Sequence, residues 1–106
     1  MTIYTVLRVN DIHNAPDMIM LGSWRTRRDA LRKCAGAIVD EAKRDDDFRD
    51  LLRNDENHGD LPNAPLDSKE VMDYIIDELG GQGGYALYND DFGTVRFYVE
   101  ENELAD

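Results

Sequence analysis

Hydrophobic and polar residues alternate near both ends of the chain, a two-residue period that is typical of β-strands. Turn formers in residues 11–16 separate the first such segment from the largely apolar residues 17–24, and two aspartates followed by Phe92 and Gly93 separate the last two alternating segments. Connections this short join neighbouring antiparallel strands, so each pair of segments predicts a β-hairpin. The predicted strands are residues 2–10, 17–24, 85–89 and 94–100.

Apolar residues recur every three or four positions in the middle of the chain, which predicts helices. The clearest helix covers residues 26–44, where Thr26 is a suitable N-cap. Gly36 is unfavourable inside a helix, so we expect it at a point of close backbone packing. The predicted buried stripe consists of Leu31, Cys34, Ala35, Ile38, Val39 and Ala42.

Two further helices are predicted after this one. Three consecutive aspartates complement the dipole of a helix at its start but oppose it at its end, so a short helix is expected within residues 45–54. A third helix is predicted over residues 66–81, with Asp67 as its N-cap and Gly80 at its C-terminal end.

Two hairpins separated by helices predict an α+β fold. We expect a two-layer sandwich, in which two or three helices cover one face of a four-stranded, mostly antiparallel sheet. The chain has 106 residues, so a single domain over residues 1–106 is expected. No apolar run approaches the ~20 residues that span a bilayer. A single cysteine and the absence of a leader pattern favour a cytoplasmic protein that does not bind membranes.

Patterns for catalysis or metal binding do not emerge from the sequence. A transition-metal site needs converging ligands, whereas His13, His58 and Cys34 are far apart. Cys34 lies on the apolar stripe, where a buried thiol is expected rather than a nucleophile. The glycine-rich segment 80–84 follows a helix instead of preceding one, which is the wrong order for a phosphate loop. We therefore expect no enzyme activity, no metal and no cofactor.

Charge is distributed unevenly along the chain. The formal net charge is -11, with ten Lys or Arg and nine Asp or Glu in residues 1–53 against two and fourteen in residues 54–106. An acidic half repels phosphate, which argues against direct binding of nucleic acid. It favours a protein partner with a basic surface, such as a nucleic-acid-processing enzyme.

Acidic residues of the last helix and hairpin form the first candidate binding surface. Their spacing along a helix is similar in scale to that of phosphates along a strand, so they could imitate nucleic acid. Aromatic side chains of the hairpin could supply apolar anchors. The alternative is that this charge only keeps the protein soluble. The predicted partner-binding residues are Glu70, Asp73, Asp77, Tyr88, Asp90, Asp91, Phe92, Glu100 and Glu101.

Basic residues at the start of the first helix form a second candidate surface, for self-association. Arginines there oppose the helix dipole, which calls for a reason. One reason would be docking onto the acidic half of a second copy, giving a homodimer. The alternative is a solvated face in which Asp29 pairs with Lys33 across one turn. The predicted self-association residues are Arg25, Arg27, Arg28 and Arg32.

In size, acidity and strand-to-helix passage, the chain resembles small acidic inhibitor proteins of phages and mobile elements. The passage runs from MIMLGSW into RTRRDALRKCA, residues 18–35. The resemblance to anti-CRISPR and anti-restriction proteins implies a non-enzymatic inhibitor that blocks the basic nucleic-acid-binding surface of a defence enzyme, such as a CRISPR effector. A self-associating structural or regulatory module and a toxin-immunity protein are the alternatives.

Overall fold

The order of elements along the chain is strand, strand, three helices, strand, strand. The computed structural model describes residues 1–12, 15–53, 61–82, 84–89 and 93–103. The elements are β1 (Thr2–Ile12), β2 (Ala15–Trp24), α1 (Arg27–Arg44), α2 (Asp46–Arg53), α3 (Lys69–Gln82), β3 (Tyr85–Asn89) and β4 (Gly93–Glu103).

The four strands form one antiparallel sheet in the order β2-β1-β4-β3. The two predicted hairpins, β1–β2 and β3–β4, join along β1 and β4, so the strands nearest the two ends of the chain are central. This confirms the predicted α+β sandwich, with three helices in the described ranges. The turn predicted at residues 90–93 lies mostly outside the described residues.

A bulge near the end of the first hairpin depends on Gly22. The register between β1 and β2 shifts between Val6 and Leu7, opposite Gly22. Gly22 has φ +147°, and an added Cβ would lie 2.7 Å from the Trp24 ring. A side chain is therefore excluded at this position, both by the backbone conformation and by the indole that covers it.

The core lies between the helices and one face of the sheet. Alternation along the strands places Val6, Tyr85, Val95 and Phe97 on this face, all at most 4% exposed. The predicted stripe of α1 is confirmed except at Leu31, which is half-buried, whereas Ala30 is fully buried. The buried α1 residues are Ala30, Cys34, Ala35, Ile38, Val39 and Ala42.

Helix starts follow the sequence in two cases and depart from it in one. Asp29 N donates to Thr26 Oγ1, so the predicted cap of α1 is confirmed. The backbone N–H groups of residues 47 and 48 donate to Asp45 Oδ1, which caps α2. The expected cap of α3 is wrong: Val71 N donates to Ser68 Oγ, because the helix begins at Lys69 rather than Ser68.

Two glycines also differ from expectation. Gly80 does not end α3, which continues to Gln82. A Cβ added at Gly36 would face open space, with no described atom beyond its own helix within 4 Å, so the close packing expected there is wrong.

A half-buried ion pair joins the sheet to α1. Arg8 Nη2 donates to Glu41 Oε1 at 2.6 Å, and Arg8 Nε donates to Glu41 Oε2 at 3.3 Å. The guanidinium carbon also lies 5.7 Å from the centre of the Phe97 ring. Two hydrogen bonds and an aromatic face hold Arg8 in one position on the helix side of the sheet.

The opposite face of the sheet carries no helix in the described part of the chain. Leu7 lies on it and is only 4% exposed, because Met20 and Tyr98 are its neighbours on the adjacent strands. Thr5, on the same face, is paired through its hydroxyl with Ser23 of β2 at 3.0 Å.

Candidate protein-binding surface

The three acidic residues predicted on the last helix share one exposed side of α3. Glu70, Asp73 and Asp77 are all exposed, while Val71 and Ile75 are fully buried in the core. Glu70 and Asp77 are separated by two helical turns, or ~10 Å along the axis. Packing of the buried side fixes α3, so these carboxylates are presented on a rigid support. We call Glu70, Asp73 and Asp77 the α3 acidic stripe.

One member of the α3 acidic stripe is neutralised locally. Lys69 Nζ donates to Asp73 Oδ2 at 2.7 Å across one helical turn. This hydrogen bond, together with the negative charge of Asp73, raises the pKa of Lys69. Glu70 and Asp77 form no ion pair with any side chain in the described ranges. The uncompensated charge of the stripe therefore resides on Glu70 and Asp77.

Asp73 also faces the predicted self-association residues of the same chain. It lines a groove of about 360 Å³ with Arg27, Arg28 and Arg32, and the apolar part of the lining includes Ile76. The structure thus places one residue of the acidic candidate surface, Asp73, beside three of the four predicted self-association arginines within a single molecule.

The antiparallel packing of α1 against α3 explains the arginines at the start of α1. Arg27 Nη2 donates to the carbonyl of Gly80 near the C-terminal end of α3. At the other end, Lys43 Nζ donates to Asp67 Oδ2 at 3.3 Å. The negative end of the α3 dipole therefore lies beside the first turn of α1 and favours positive charge there. Arg27 therefore has a role within the fold, and self-association through these arginines stays a prediction.

Glu100 and Glu101 lie on opposite faces of the sheet. Glu100 pairs with Thr5, on the face without helices, whereas Glu101 pairs with Tyr4, on the side of the core. Both are exposed. The structure therefore does not bring Glu100 together with the α3 acidic stripe.

The remaining predicted residues are divided between the surface and the undescribed parts. Arg25 is exposed in the turn between β2 and α1. The side chain of Tyr88 and all of Asp90, Asp91 and Phe92 lie outside the described residues, as do His13 and His58.

Sequence reasoning missed two neighbouring features on the other flank of the molecule. Four consecutive hydrophobic side chains of β2, in residues 18–21, are exposed at the edge of the sheet. Beside them, α1 presents Asp29, Arg32, Lys33 and Asp40 around an open groove. The sequence signal for the exposed side chains of β2 was the unbroken run MIML. Consecutive residues of a strand point to opposite faces, so one layer of helices cannot bury all of them.

Reactive chemistry is not assembled in the described residues. No group of three His, Cys, Asp or Glu side chains in those ranges is placed to hold a metal ion. Cys34 is fully buried, and burial raises the pKa of its thiol to about 12, which makes it a poor nucleophile. None of the helices described is both long and apolar enough to cross a bilayer.

Comparison with known proteins finds no match to a family model, to a curated protein or to a solved structure.

Proposed function

We propose that this chain is a non-enzymatic protein-binding module that docks the α3 acidic stripe onto a basic surface of another protein. The observation that carries the proposal is the pair of exposed carboxylates, Glu70 and Asp77, which have no cationic partner in the described chain and stand on a helix fixed by the core. Charges held in place lose little conformational freedom on binding, so a preorganised stripe suits recognition.

The target class that fits best is a protein with a basic groove for nucleic acid. The net charge of -11 accelerates the approach of a cationic surface and disfavours nucleic acid itself. By occupying such a groove, the module would displace the normal anionic ligand. This is the action of a phage-type inhibitor of a cytoplasmic defence enzyme, and we propose a CRISPR effector or a restriction enzyme as the target.

The test measures competition with nucleic acid. A panel of guide-loaded CRISPR effectors and restriction enzymes is assayed for binding of fluorescent DNA, with the protein as competitor. We expect the parent chain to displace DNA from at least one target, with an inhibition constant that weakens as salt rises. The variant Glu70→Lys with Asp77→Lys should weaken inhibition at least tenfold, because two attractive contacts become repulsive.

A matched variant distinguishes the effect of the α3 acidic stripe on inhibition from the effect of the net charge. Glu100→Lys, on the face of the sheet without helices, is compared with Asp77→Lys alone, because each substitution changes the net charge by the same amount. Glu100→Lys should inhibit like the parent once circular dichroism has shown that both variants fold. Equal inhibition by the α3 variant and the parent would exclude the stripe as the binding site. Failure of the parent against the whole panel would exclude the inhibitor function in these enzyme classes.

A further inference from the structure

Strand β2 exposes an unusually apolar edge. It is the outermost strand on its side of the sheet, and no strand in the described ranges pairs with its free side. Met18 is 61% exposed, Ile19 43%, Met20 67% and Leu21 39%. Edge strands of monomeric proteins usually carry charges or prolines that prevent pairing with another chain. Residues 18–24 contain neither, although β2 itself begins with Ala15, Pro16 and Asp17 and carries the bulge beside Gly22.

The exposed side chains point to both faces of the sheet. Met18 and Met20 pair with Val9 and Leu7 and share the face without helices. Ile19 pairs with Arg8 on the helix side. Leu21 is also on the helix side, where it lines a groove with α1. A partner that covered one face would leave half of the apolar surface in water, whereas a strand placed beside β2 covers both halves and also satisfies its free backbone groups.

The groove above β2 supplies a second feature of this surface. Because α1 lies mainly over β1 and β4, the space above β2 is open and has a volume of about 870 Å³. Its floor includes Leu21 and Trp24. Its α1 wall consists of Asp29, Arg32, Lys33, Gly36, Ala37 and Asp40.

The charges on this wall have no ion-pair partner among the described residues. Asp29, Arg32, Lys33 and the carboxylate of Asp40 form no ion pair in the described ranges, and the predicted pairing of Asp29 with Lys33 is not formed. The order of these charges along α1 allows opposite charges to face each other when the α1 helix of a second copy runs antiparallel to the first. If two α1 helices run in opposite directions about Gly36 and Ala37, residue 33 of one is level with residue 40 of the other, and residue 29 is level with residue 44.

That alignment places a cation opposite an anion at two pairs of positions, 33 with 40 and 29 with 44. Lys33 faces Asp40 and Asp29 faces Arg44, whose side chain borders the adjoining groove. A parallel alignment would instead place Lys33 opposite Lys33. The groove and the strand edge thus select the same arrangement, because an edge strand that pairs with a copy of itself about a two-fold axis does so antiparallel.

We propose that two copies of this chain associate edge to edge through β2. The pairing extends the sheet from four strands to eight, covers residues 18–21 on both faces, and brings the two α1 walls to either side of a shared groove. Contact over residues 18–24 of β2 involves uncharged residues only, so most of the net charge of -11 on each copy is kept away from it. The occupant is a second copy because the complementary charges are on the same helix. This inference is independent of the proposed function.

The mass of the full chain in solution provides the test. Sedimentation equilibrium from low micromolar to near-millimolar concentration should show a reversible dimer. Replacing one side chain on each face, Ile19→Lys with Met20→Lys, should give a monomer with an unchanged far-ultraviolet spectrum, since both side chains are exposed and neither belongs to the buried core. A monomeric parent at the highest concentration would overturn the proposal, whatever else binds the edge.

Charge exchange on α1 distinguishes this interface from any other dimer. Lys33→Asp and Asp40→Lys should each weaken the dimer about threefold, because symmetry turns two attractions across the solvated groove into two repulsions. The double variant should restore parental affinity. Arg28→Glu, on the groove beside α3, is the matched control and should have no effect. Dissociation by Arg28→Glu, or failure of the double variant to recover, would assign self-association to another surface and overturn the proposal.

Discussion

Cys34 gives a direct test of how the core is built. Its side chain is fully buried in α1, and burial raises the pKa of the thiol from 9.0 to about 12. Since the thiolate is the reactive form, the fraction available at pH 8 falls from about one in ten to about one in ten thousand. Steric exclusion from the core adds to this, so the native chain should react at least a thousandfold more slowly than the unfolded chain.

The assay is a chromogenic thiol–disulfide exchange reaction at pH 8, followed with the native protein and with the same protein in denaturant. Because the chain has one cysteine, a single kinetic phase is expected in each case. Native labelling then reports opening of the core around α1. Labelling of the folded protein within tenfold of the denatured rate would refute both the burial of Cys34 and the interpretation of α1 as the central helix of the core.

The raised pKa of Cys34 also predicts that the folded protein loses stability at alkaline pH. The folded pKa lies above the unfolded one, so the contribution is fully present below pH 9 and is lost as pH rises towards 12. At pH 10 the loss is about 1.4 kcal/mol. Urea unfolding of the parent and of Cys34→Ala should show the difference between them shrink by this amount from pH 7 to pH 10. A constant difference would show that the thiol is solvated in the folded state.

Two glycine-to-alanine substitutions should have opposite effects on the free energy of unfolding, measured by urea titration. Gly22→Ala should lower the free energy of unfolding by about 2–4 kcal/mol, because alanine would have to adopt an unfavourable positive φ and its Cβ would displace the Trp24 ring. A change below 0.5 kcal/mol would contradict the described bulge. Gly36→Ala places a methyl group in open space within α1 and should stabilise by about 0.5–1 kcal/mol. Destabilisation at Gly36 would instead indicate close packing there.

Local chemistry in the sequence predicts most of the fold. Alternation locates β1, β3 and β4, and a short apolar run beside turn formers locates β2. Thr26 and the aspartates of residues 45–47 locate two helix starts. Each of these signals acts within a few residues. The start of α3 is less certain from sequence, since Asp67 and Ser68 are both good caps and the pairing of Asp67 with Lys43 is a tertiary contact. The bulge at Gly22 likewise depends on where the ring of Trp24 packs.

The candidate surface is less predictable than the fold. Helical spacing alone places Glu70, Asp73 and Asp77 on one side of α3, and strand alternation alone separates Glu100 from Glu101. The sequence does not indicate that Asp73 lies beside the arginines of α1, because this follows from the antiparallel packing of two helices far apart along the chain. The free edge of β2 depends on strand order, which no local pattern reveals.

The position of α1 between the free edge of β2 and α3 has a consequence for target choice. In a pair joined through β2, the two α3 helices lie on the far flanks, one at each end of the assembly. Such a particle is bivalent, and the second contact with a target carrying two basic sites is effectively intramolecular. Selection would then depend on the distance between those sites, and oligomeric enzymes with regularly spaced grooves would be preferred over monomeric ones of equal charge.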